Sequence, residues 1–553
     1  MKKATLFALA FMLVGAGLYF YGGPAYRHYK EKRLLTQAKH FAAIGDFRNA
    51  LLSARQTLQL NSANLEACGI MANLAECSRS PALLDWRRRI AELAPTIENK
   101  LLLAASALRI QASPYPMTQQ ILKEVASAAK DVPAYHLLSA ELALKSRDLL
   151  QAEAEFQEAS RLEPADQQHQ FNLAVLRLQS TNAAVSAEAC ATLERLRSNT
   201  NLGPIALRWL IAGRLGEREL AAAARLSREL VSDGRATVED RLQYLNILER
   251  ANKPELEGYL AVLQRSSLSN AAEVYALSDW MAGHGRAEAA LQWLTNCPAK
   301  LRAEQPAPIG MVECYIAKKD WTSLEAFLNS EKWGELEFLR LAFLSRAAGE
   351  QKRKQGADAL WRQAVRAAGE RFGPLATLLG LAANWERDQA KEDLLWKIAQ
   401  HFPRERWAGL ELGRLFQSAG NTRGLNKVCA LMASYNSKDL FAKNNLAATS
   451  LLLKQDLPKA HELAKDIYSQ RPQEPTIVST YAYSLQVQGR TKEALDIFQT
   501  LKREELQQPS IALYYGALLS ATGETNKAEG YLEIAKVMAA TFLPEERALI
   551  PHQ

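Results

Sequence analysis

The feature that most constrains the fold is a repeat of 34 residues in the last quarter of the chain. Two series of small residues keep this spacing. Ala448, Ala482 and Gly516 form the first series, and Ala460, Ala494 and Ala528 form the second. A fixed period of about 20 to 50 residues is typical of arrays in which each unit packs mainly on its neighbours. The 553 residues therefore need not be divided among several separate globular cores.

Within each unit the spacing indicates two helices joined by a tight turn. The pairs Gly489-Arg490 and Gly523-Glu524 supply two of these turns, and large apolar residues lie between the small ones. Packed helices lie only about 8–10 Å apart, so small residues are expected where the two helices cross. Pro472 follows the second helix of one unit, in a position where proline ends a helix. The pattern therefore predicts helical hairpins.

This period and pattern resemble the tetratricopeptide repeat (TPR). The same frame recurs upstream, clearly in 38–50 and 140–164, and it covers roughly four-fifths of residues 34–540. It fades in 96–131 and 235–268, which we interpret as degenerate helical pairs. Good helix formers dominate the composition, and no run of alternating β-branched residues predicts a sheet. The resemblance implies an all-α fold, an α-solenoid in which helix-turn-helix repeats form a right-handed superhelix.

We expect four segments along the chain. They are a membrane anchor with a basic stretch at residues 1–33, TPR-like repeats at 34–300 that include the divergent hairpins 96–131 and 235–268, degenerate TPR-like repeats at 301–403, and well-formed TPR repeats with a carboxyl-terminal cap at 404–553. The 34-residue pattern is clearest in the last of these segments.

Residues 4–23 form a run of 20 residues without a charged side chain. A helix of that length spans about 30 Å, the thickness of the hydrocarbon core of a bilayer. Tyr19 and Tyr21 lie near its end, where aromatic residues favour the membrane interface, and a basic stretch follows at 27–33. We expect one transmembrane helix that is not cleaved. A signal peptide cleaved after the small residues 14–16 is the alternative.

We expect a single-pass protein of a bacterial inner membrane with its repeats on the periplasmic side, because the start Met1-Lys2-Lys3 resembles a bacterial export signal. The distribution of basic residues slightly favours the cytoplasmic orientation, which stays open. The net charge of the chain is +8, and residues 1–33 carry +5 of it. The remainder does not show basic residues gathered with aromatic ones, so nucleic acid is not an expected partner.

The sequence lacks the common motifs that place catalytic or cofactor-binding groups together. It contains no glycine-rich phosphate loop, no His-Glu-x-x-His and no Cys-x-x-Cys. We therefore expect no enzyme activity, no cofactor, no metal site and no small-molecule substrate. Cys297 and Cys314 flank a predicted loop and could pair in an exported domain, but we expect buried free thiols.

The resemblance to TPR proteins also implies that the first helix of each unit lines a groove for an extended peptide or a partner's helix. Carried onto the last four units, it implies these groove residues: Trp407, Glu411, Arg414, Asn445, Thr449, Ser479, Tyr483, Gln486, Leu513 and Tyr514. Arg414 is their main cation, so the carboxylate clamp of some TPR co-chaperones is not predicted. A polar and aromatic groove for an uncharged peptide is the hypothesis, and side chains that merely face solvent are the alternative.

The fold and the lack of catalytic motifs favour a membrane-tethered scaffold that binds other proteins. Proteins of similar layout act in bacterial envelope assembly and exopolysaccharide export, and we expect a role of that kind. The expected partners are other proteins and, through residues 4–23, the lipid bilayer. Two alternatives remain open: an enzyme subunit, such as a hydrolase or transferase, with its site hidden in 96–131 or 235–268, and a solenoid whose Tyr, Trp and Asn side chains bind carbohydrate.

Overall fold

The structure, a computed structural model, describes residues 23–111 and 113–550. All the regular elements in these residues are helical, and no β-strand occurs among them. They comprise 33 α-helices and three short 3-10 helices, Ser267–Ser269, Gly334–Leu336 and Ala539–Thr541. The prediction of an all-α fold is confirmed.

The chain divides into two compact units, Met1–Trp280 and Met281–Gln553, which we call the amino-terminal and carboxyl-terminal units. The described helices that begin in the amino-terminal unit are α1 (Gly23–Ala43), α2 (Phe47–Leu60), α3 (Leu65–Cys77), α4 (Leu83–Leu93), α5 (Ile97–Ile110), α6 (Pro116–Ala129), α7 (Pro133–Lys145), α8 (Leu149–Leu162), α9 (Gln167–Arg177), α10 (Ala183–Leu196), α11 (Gly203–Gly216), α12 (Leu220–Val231), α13 (Val238–Arg250), α14 (Glu255–Ser266) and α15 (Ala271–Gly283).

The described helices that begin in the carboxyl-terminal unit are α16 (Ala287–Thr295), α17 (Ala299–Ala303), α18 (Ala307–Lys318), α19 (Trp321–Ser330), α20 (Glu337–Glu350), α21 (Lys354–Ala368), α22 (Phe372–Asn384), α23 (Asp388–His401), α24 (Arg406–Ser418), α25 (Thr422–Tyr435), α26 (Leu440–Leu452), α27 (Leu457–Gln470), α28 (Pro475–Val487), α29 (Thr491–Phe498), α30 (Arg503–Leu506), α31 (Pro509–Ala521), α32 (Thr525–Lys536) and α33 (Pro544–Arg547). The predicted segments 34–300, 301–403 and 404–553 remain predictions.

Consecutive helices pack in pairs within each unit. The pairs α1–α2 and α7–α8 in the amino-terminal unit and α20–α21 and α31–α32 in the carboxyl-terminal unit have the most extensive contacts. Loops of a few residues join the members of each pair, which makes them hairpins. The TPR-like hairpins predicted from the sequence are therefore present, while the right-handed superhelix remains a prediction.

A residue with left-handed backbone dihedral angles marks the turn inside almost every described hairpin. These residues have φ between +47° and +84°, and they are Gly45, Arg79, Tyr115, Arg147, Arg218, Asn252, Gly285, Lys319, Lys352, Glu386, Gly420, Lys454, Gly489 and Gly523. From Arg218 to Gly523 they follow one another at intervals of 33 to 35 residues. The repeat frame therefore continues through this range, including the segment 235–268 in which the sequence pattern fades.

The small residues predicted at the helix crossings of the last units are buried, with one change of position. Ala482 and Gly516 lie in the interior of their hairpins. A Cβ atom on Gly516 would lie 2.8 Å from Cγ of Leu532, so the backbones of α31 and α32 come unusually close there. In the unit before them the fully buried small residue is Ala447 and not Ala448. The turn residue of that unit, Lys454, lies 35 residues before Gly489, the turn residue of the next unit, so the equivalent position is one residue earlier than a 34-residue spacing predicts.

No helix within residues 23–111 and 113–550 is long and apolar enough to cross a membrane. This finding contradicts the predicted location, a single-pass protein of a bacterial inner membrane, and we correct that prediction. The segment 4–23 on which it rested lies outside the described residues except for Gly23, the first residue of α1. The basic stretch 27–33 lies on α1 and is mostly exposed. Neither the membrane tether nor the bilayer as a partner is retained.

Candidate functional site

An open cleft lies between the first helices of two consecutive hairpins in the carboxyl-terminal unit. Its walls come from α24 and α26, and its floor comes from α25. The cleft has a volume of about 660 Å³. Its larger apolar lining residues are Leu410, Leu425, Val428, Met432 and Phe441. The site is therefore a concave, largely apolar surface built on rigid helices.

Two glycines bring the backbone of α24 close to the floor of the cleft. A Cβ atom on Gly409 would lie 3.2 Å from Cγ and Sδ of Met432. A Cβ atom on Gly413 would lie 3.8 Å from Cδ1 of Leu425. Because glycine has no side chain, the backbone of α24 itself forms this part of the cleft wall.

Large apolar side chains that line the cleft are accessible to solvent. Leu410 on α24 is 48% exposed, and Phe441 on α26 is 61% exposed. Tyr435 lines a second cavity of about 350 Å³, which shares Arg406 and Met432 with the cleft. Single exposed apolar residues are normal on a protein surface, but these side chains border adjoining cavities. Such a grouping is typical of interaction sites.

An ion pair joins the two walls at one end of the cleft. The guanidinium of Arg406 donates a hydrogen bond to Asp439, whose side chain is largely buried. Asp439 also caps α26, because its Oδ1 accepts a hydrogen bond of 3.0 Å from the backbone N–H of Ala442. The pair therefore fixes the amino-terminal end of α24 relative to that of α26.

The ten groove residues implied by the TPR resemblance lie at different depths. Trp407, Arg414 and Asn445 are exposed, Glu411, Tyr483, Gln486 and Tyr514 are half-buried, and Thr449, Ser479 and Leu513 are buried. Arg414 and Asn445 line the cleft. Arg414, the expected main cation, is paired with Glu411 at 3.2 Å. The groove assignment remains a prediction.

Sequence reasoning did not identify Leu410 and Phe441 as parts of the site. Both are apolar residues on predicted helices, and such residues are ordinarily assigned to the core. Conversely, Thr449 was assigned to the groove but connects two helices: its hydroxyl donates to the carbonyl of Asn445 at 2.7 Å and accepts a 3.0 Å hydrogen bond from Asn426. Helical position alone therefore did not separate the cleft from the core.

The segment 537–550 borders the same cleft. It follows α32, and its residues Ala540 and Thr541 contribute to the cleft lining. The side-chain amide of Gln417 on α24 donates a hydrogen bond of 2.9 Å to the carbonyl oxygen of Thr541. These partners are 124 positions apart in the sequence. We call residues 537–550 the carboxyl-terminal tail.

Cys429 lies in the floor of the cleft, where burial raises its pKa to about 12. At neutral pH the group is therefore a thiol and not a nucleophilic thiolate. We expect iodoacetamide at pH 8 to modify the exposed Cys77 while Cys429 stays protected until the unit unfolds. Mass spectrometry of tryptic peptides measures both sites. Rapid modification of Cys429 in the folded chain would contradict the described burial.

Cys297 and Cys314, the other thiols singled out from the sequence, are also buried. Their burial agrees with the expected environment for these two residues.

Among the described residues, Glu163, Asp166 and His169 form a group whose ligand atoms lie within 4.8 Å of one another. The side chain of His169 is buried, with Nδ1 3.8 Å from Glu163 and Nε2 3.6 Å from Asp166. Asp166 also caps α9 by accepting a 2.7 Å hydrogen bond from the backbone N–H of Gln168. The two carboxylates thus face different ring nitrogens of His169.

Comparison with known proteins leaves the chain without a family assignment. No protein-family model matches it, and no curated protein matches it. The crystal structure of the APC/C hetero-tetramer Cut9–Hcn1 matches with a TM-score of 0.30 and 11% identity, over 83% of this chain and 98% of that one. The structure of Naa15/Naa10 bound to HypK-THB matches with a TM-score of 0.27 and 14% identity, over 94% and 76%. Because both TM-scores are low, the fold assignment rests on the hairpins of the chain itself.

Proposed function

We propose that this chain is a protein-binding scaffold and that its carboxyl-terminal unit holds a segment of a partner protein in the cleft between α24 and α26. The observation that carries the proposal is the open cleft of about 660 Å³ with the exposed side chains of Leu410 and Phe441 in its lining. Burial of such surface by a partner is favourable because it removes apolar area from water.

The lining favours a peptide with bulky apolar side chains. Met432 and Val428 offer an apolar floor, and a methionine side chain adapts to differently shaped partners. The polar side chains of Gln417 and Asn445 lie in the same lining and are suited to hydrogen bonds with a peptide backbone. Gln417 already makes such a bond to Thr541. The volume is also within the range of roughly 300–1,000 Å³ that is usual for ligand-binding clefts.

Three of the groove residues implied by the TPR resemblance are exposed near this cleft. Arg414 and Asn445 lie in its lining, and Trp407 is on α24 with its indole N–H donating to Glu405 at 3.0 Å. We include Trp407, Arg414 and Asn445 in the proposed binding surface. Trp and Arg are also the residue types that most often contribute strongly to protein interfaces.

Leu410→Lys and Phe441→Lys test the proposal by placing a charge in the cleft. Both wild-type side chains are at least 48% exposed, so neither change removes a fully buried side chain. We expect each variant to retain roughly tenfold less of any partner that binds the wild-type chain, because covering an unpaired ammonium group costs free energy. Quantitative mass spectrometry of proteins co-isolated with the tagged full chain measures this. Leu150→Lys is the matched control, since Leu150 is 84% exposed on α8 in the other unit.

Partner proteins that are retained by the Leu150→Lys chain and lost from both cleft variants would support the proposal. Equal retention by all three variants would contradict it. Equal loss from all three would contradict it as well, because binding would then not depend on the cleft. Circular dichroism of each variant checks that its helical content is unchanged.

A further inference from the structure

The carboxyl-terminal tail, residues 537–550, does not simply continue the array. After α32 it returns to the turn between α24 and α25, which lies about three hairpins earlier in the chain. Pro544 meets this turn at Gly420, where an added Cβ atom would lie 3.4 Å from the proline Cγ. Gly420 has φ +61°, so a side chain there would also be strained. The tail therefore packs against bare backbone at this point.

Two apolar side chains anchor the tail. Phe542 is 5% exposed and Leu543 is 3% exposed, although both lie in the link between the 3-10 helix Ala539–Thr541 and α33. Phe542 belongs to a small apolar cluster with Leu513 on α31 and Ala535 on α32. Burial of these side chains supplies the non-directional part of the attraction between the tail and the hairpins.

Hydrogen bonds from uncharged groups complete the contact. The Tyr514 hydroxyl donates to Oε1 of Glu546 at 2.7 Å, and the Thr422 hydroxyl donates to Glu545. Gln417 also donates to the carbonyl oxygen of Thr541. Side chains from three helices, α24, α25 and α31, therefore donate hydrogen bonds to the tail. The array thus holds a peptide backbone and two adjacent carboxylates.

The surface under the tail coincides with part of the groove implied by the TPR resemblance. Leu513 packs against Phe542, and Tyr514 binds Glu546. The ring of Tyr483 lies 5.1 Å from that of Tyr514, and burial, reinforced by the nearby Glu546, raises the pKa of both phenols. The tail therefore lies where a ligand of such a groove would lie.

We propose that the tail is an intramolecular ligand of the carboxyl-terminal groove and that a partner peptide of the same chemistry displaces it. That chemistry is two apolar residues, a proline and two carboxylates, as in residues 542–546. The proposal rests on the proposed function, because it names the ligand of the same surface. The tail also adjoins the open cleft, because Ala540 and Thr541 belong to the cleft lining.

A tethered ligand has a strong advantage over a free one. Its effective concentration is on the order of millimolar, so a free peptide of equal intrinsic affinity competes poorly at micromolar concentration. A partner must therefore bind more tightly than the tail or extend into the cleft lined by Leu410 and Phe441. The tail thus raises the affinity that a partner needs, and it excludes weak ligands.

The test uses the full chain and a fluorescent synthetic peptide with the sequence of residues 538–550. In the double variant Phe542→Ser/Leu543→Ser the tail loses its apolar anchors, and the surface under it becomes accessible. We expect fluorescence anisotropy to show peptide binding to this variant at least roughly tenfold tighter than to the wild-type chain. A peptide that carries the same two serine substitutions is the control and should not bind. Adding Tyr514→Phe to the variant should weaken binding by at least roughly tenfold, the value of one hydrogen bond to a carboxylate.

Failure of the peptide to bind the double variant, with its helical content intact, would overturn the proposal, since the tail would then be a fixed cap. Equal binding to the wild type and the variant would also overturn it. If the double variant does not fold, Tyr514→Phe/Thr422→Val replaces it, because the first change removes a hydroxyl group and the second replaces one with a methyl group of similar size. Hydrogen exchange of residues 539–550 should then become faster than in the wild type, and unchanged exchange would contradict the proposal. The proposed function is tested separately, by the partner proteins that co-isolate with the Leu410→Lys and Phe441→Lys chains. The result of that test does not depend on whether the tail can be displaced.

Discussion

Gly516→Leu is expected to destabilise the hairpin of α31 and α32 by about 3 kcal/mol, the upper end of the range for an overpacked interior site. An added Cβ atom would lie 2.8 Å from Cγ of Leu532 and 3.3 Å from the carbonyl oxygen of Ala528. The leucine side chain can shift, but the backbone oxygen cannot move without separating the two helices. The gain in helix propensity on replacing glycine is only about 1 kcal/mol and does not offset this strain.

Hydrogen exchange is the suitable measurement, because a long array of hairpins does not unfold in a single step. Amides of residues 509–536 should exchange faster in Gly516→Leu, while those of the amino-terminal unit should not change. Gly530→Ala is the matched control, since an added Cβ at this exposed position of α32 meets no atom within 4 Å. We expect it to stabilise the same hairpin by about 0.5–1 kcal/mol. Equal protection in both variants would contradict the close helix crossing at Gly516.

Trp361→Ala is expected to cost about 3–5 kcal/mol of stability in the carboxyl-terminal unit. The Trp361 side chain is 7% exposed, and its ring packs edge-on against Trp385 with 6.1 Å between centroids. The guanidinium of Arg387 lies 4.6 Å from the centre of the same ring and donates to Ser345 at 2.9 Å and to Asp358 at 3.1 Å. Removing the indole therefore leaves a cavity and also exposes one face of a partly buried cation.

Trp407→Ala is the matched control for this prediction. Trp407 lies in the same unit but is 40% exposed, so we expect its loss to cost about 1 kcal/mol or less. Thermal denaturation followed by circular dichroism, with hydrogen exchange of residues 337–401 as the local measurement, distinguishes the two variants. An equally large loss of stability in Trp407→Ala would contradict the prediction, because the exposed fraction of a tryptophan would then not determine how much it stabilises this unit.

The hairpin fold was predictable from the sequence because its signal is local. Helix formers, small residues at a 34-residue spacing and Gly-containing turns such as Gly489 and Gly523 all indicate the same element boundaries. The sequence pattern predicted Ala448 at the helix crossing, but Ala447 occupies that position. The pattern therefore places a residue only to within one position, and one position changes the direction of a side chain around the helix by about 100°. Small residues are too common for the pattern to detect that change.

The divergent hairpins were harder to identify because their turns do not use glycine. The left-handed turn positions hold side chains such as Tyr115, Lys319 and Glu386, which are not typical of positive φ. Packing of the two helices imposes this backbone on whichever residue stands there. The left-handed turn therefore recurs at a regular spacing, but the residue type at the turn varies. The sequence resemblance to the TPR fades in these hairpins although the hairpin structure persists.

The candidate site was only partly predictable. The TPR frame implied Arg414 and Asn445, which line the cleft, but it could not identify Leu410 and Phe441, whose exposure depends on how neighbouring hairpins pack. The contact between Thr422 and Glu545 joins residues 123 positions apart. No local pattern encodes such a contact, so the tail was expected only as a cap.

The most direct test of the central claim, that the cleft of the carboxyl-terminal unit binds a protein segment, is site-specific photo-crosslinking in cells that produce the chain. A photoreactive phenylalanine analogue replaces Leu410 in one chain and Leu150, which is 84% exposed on α8, in the other. We predict a discrete adduct of the chain with a second protein from position 410 and none of the same mass from position 150. Adducts of equal yield and mass from both positions, or none from position 410 at any expression level, would contradict the claim.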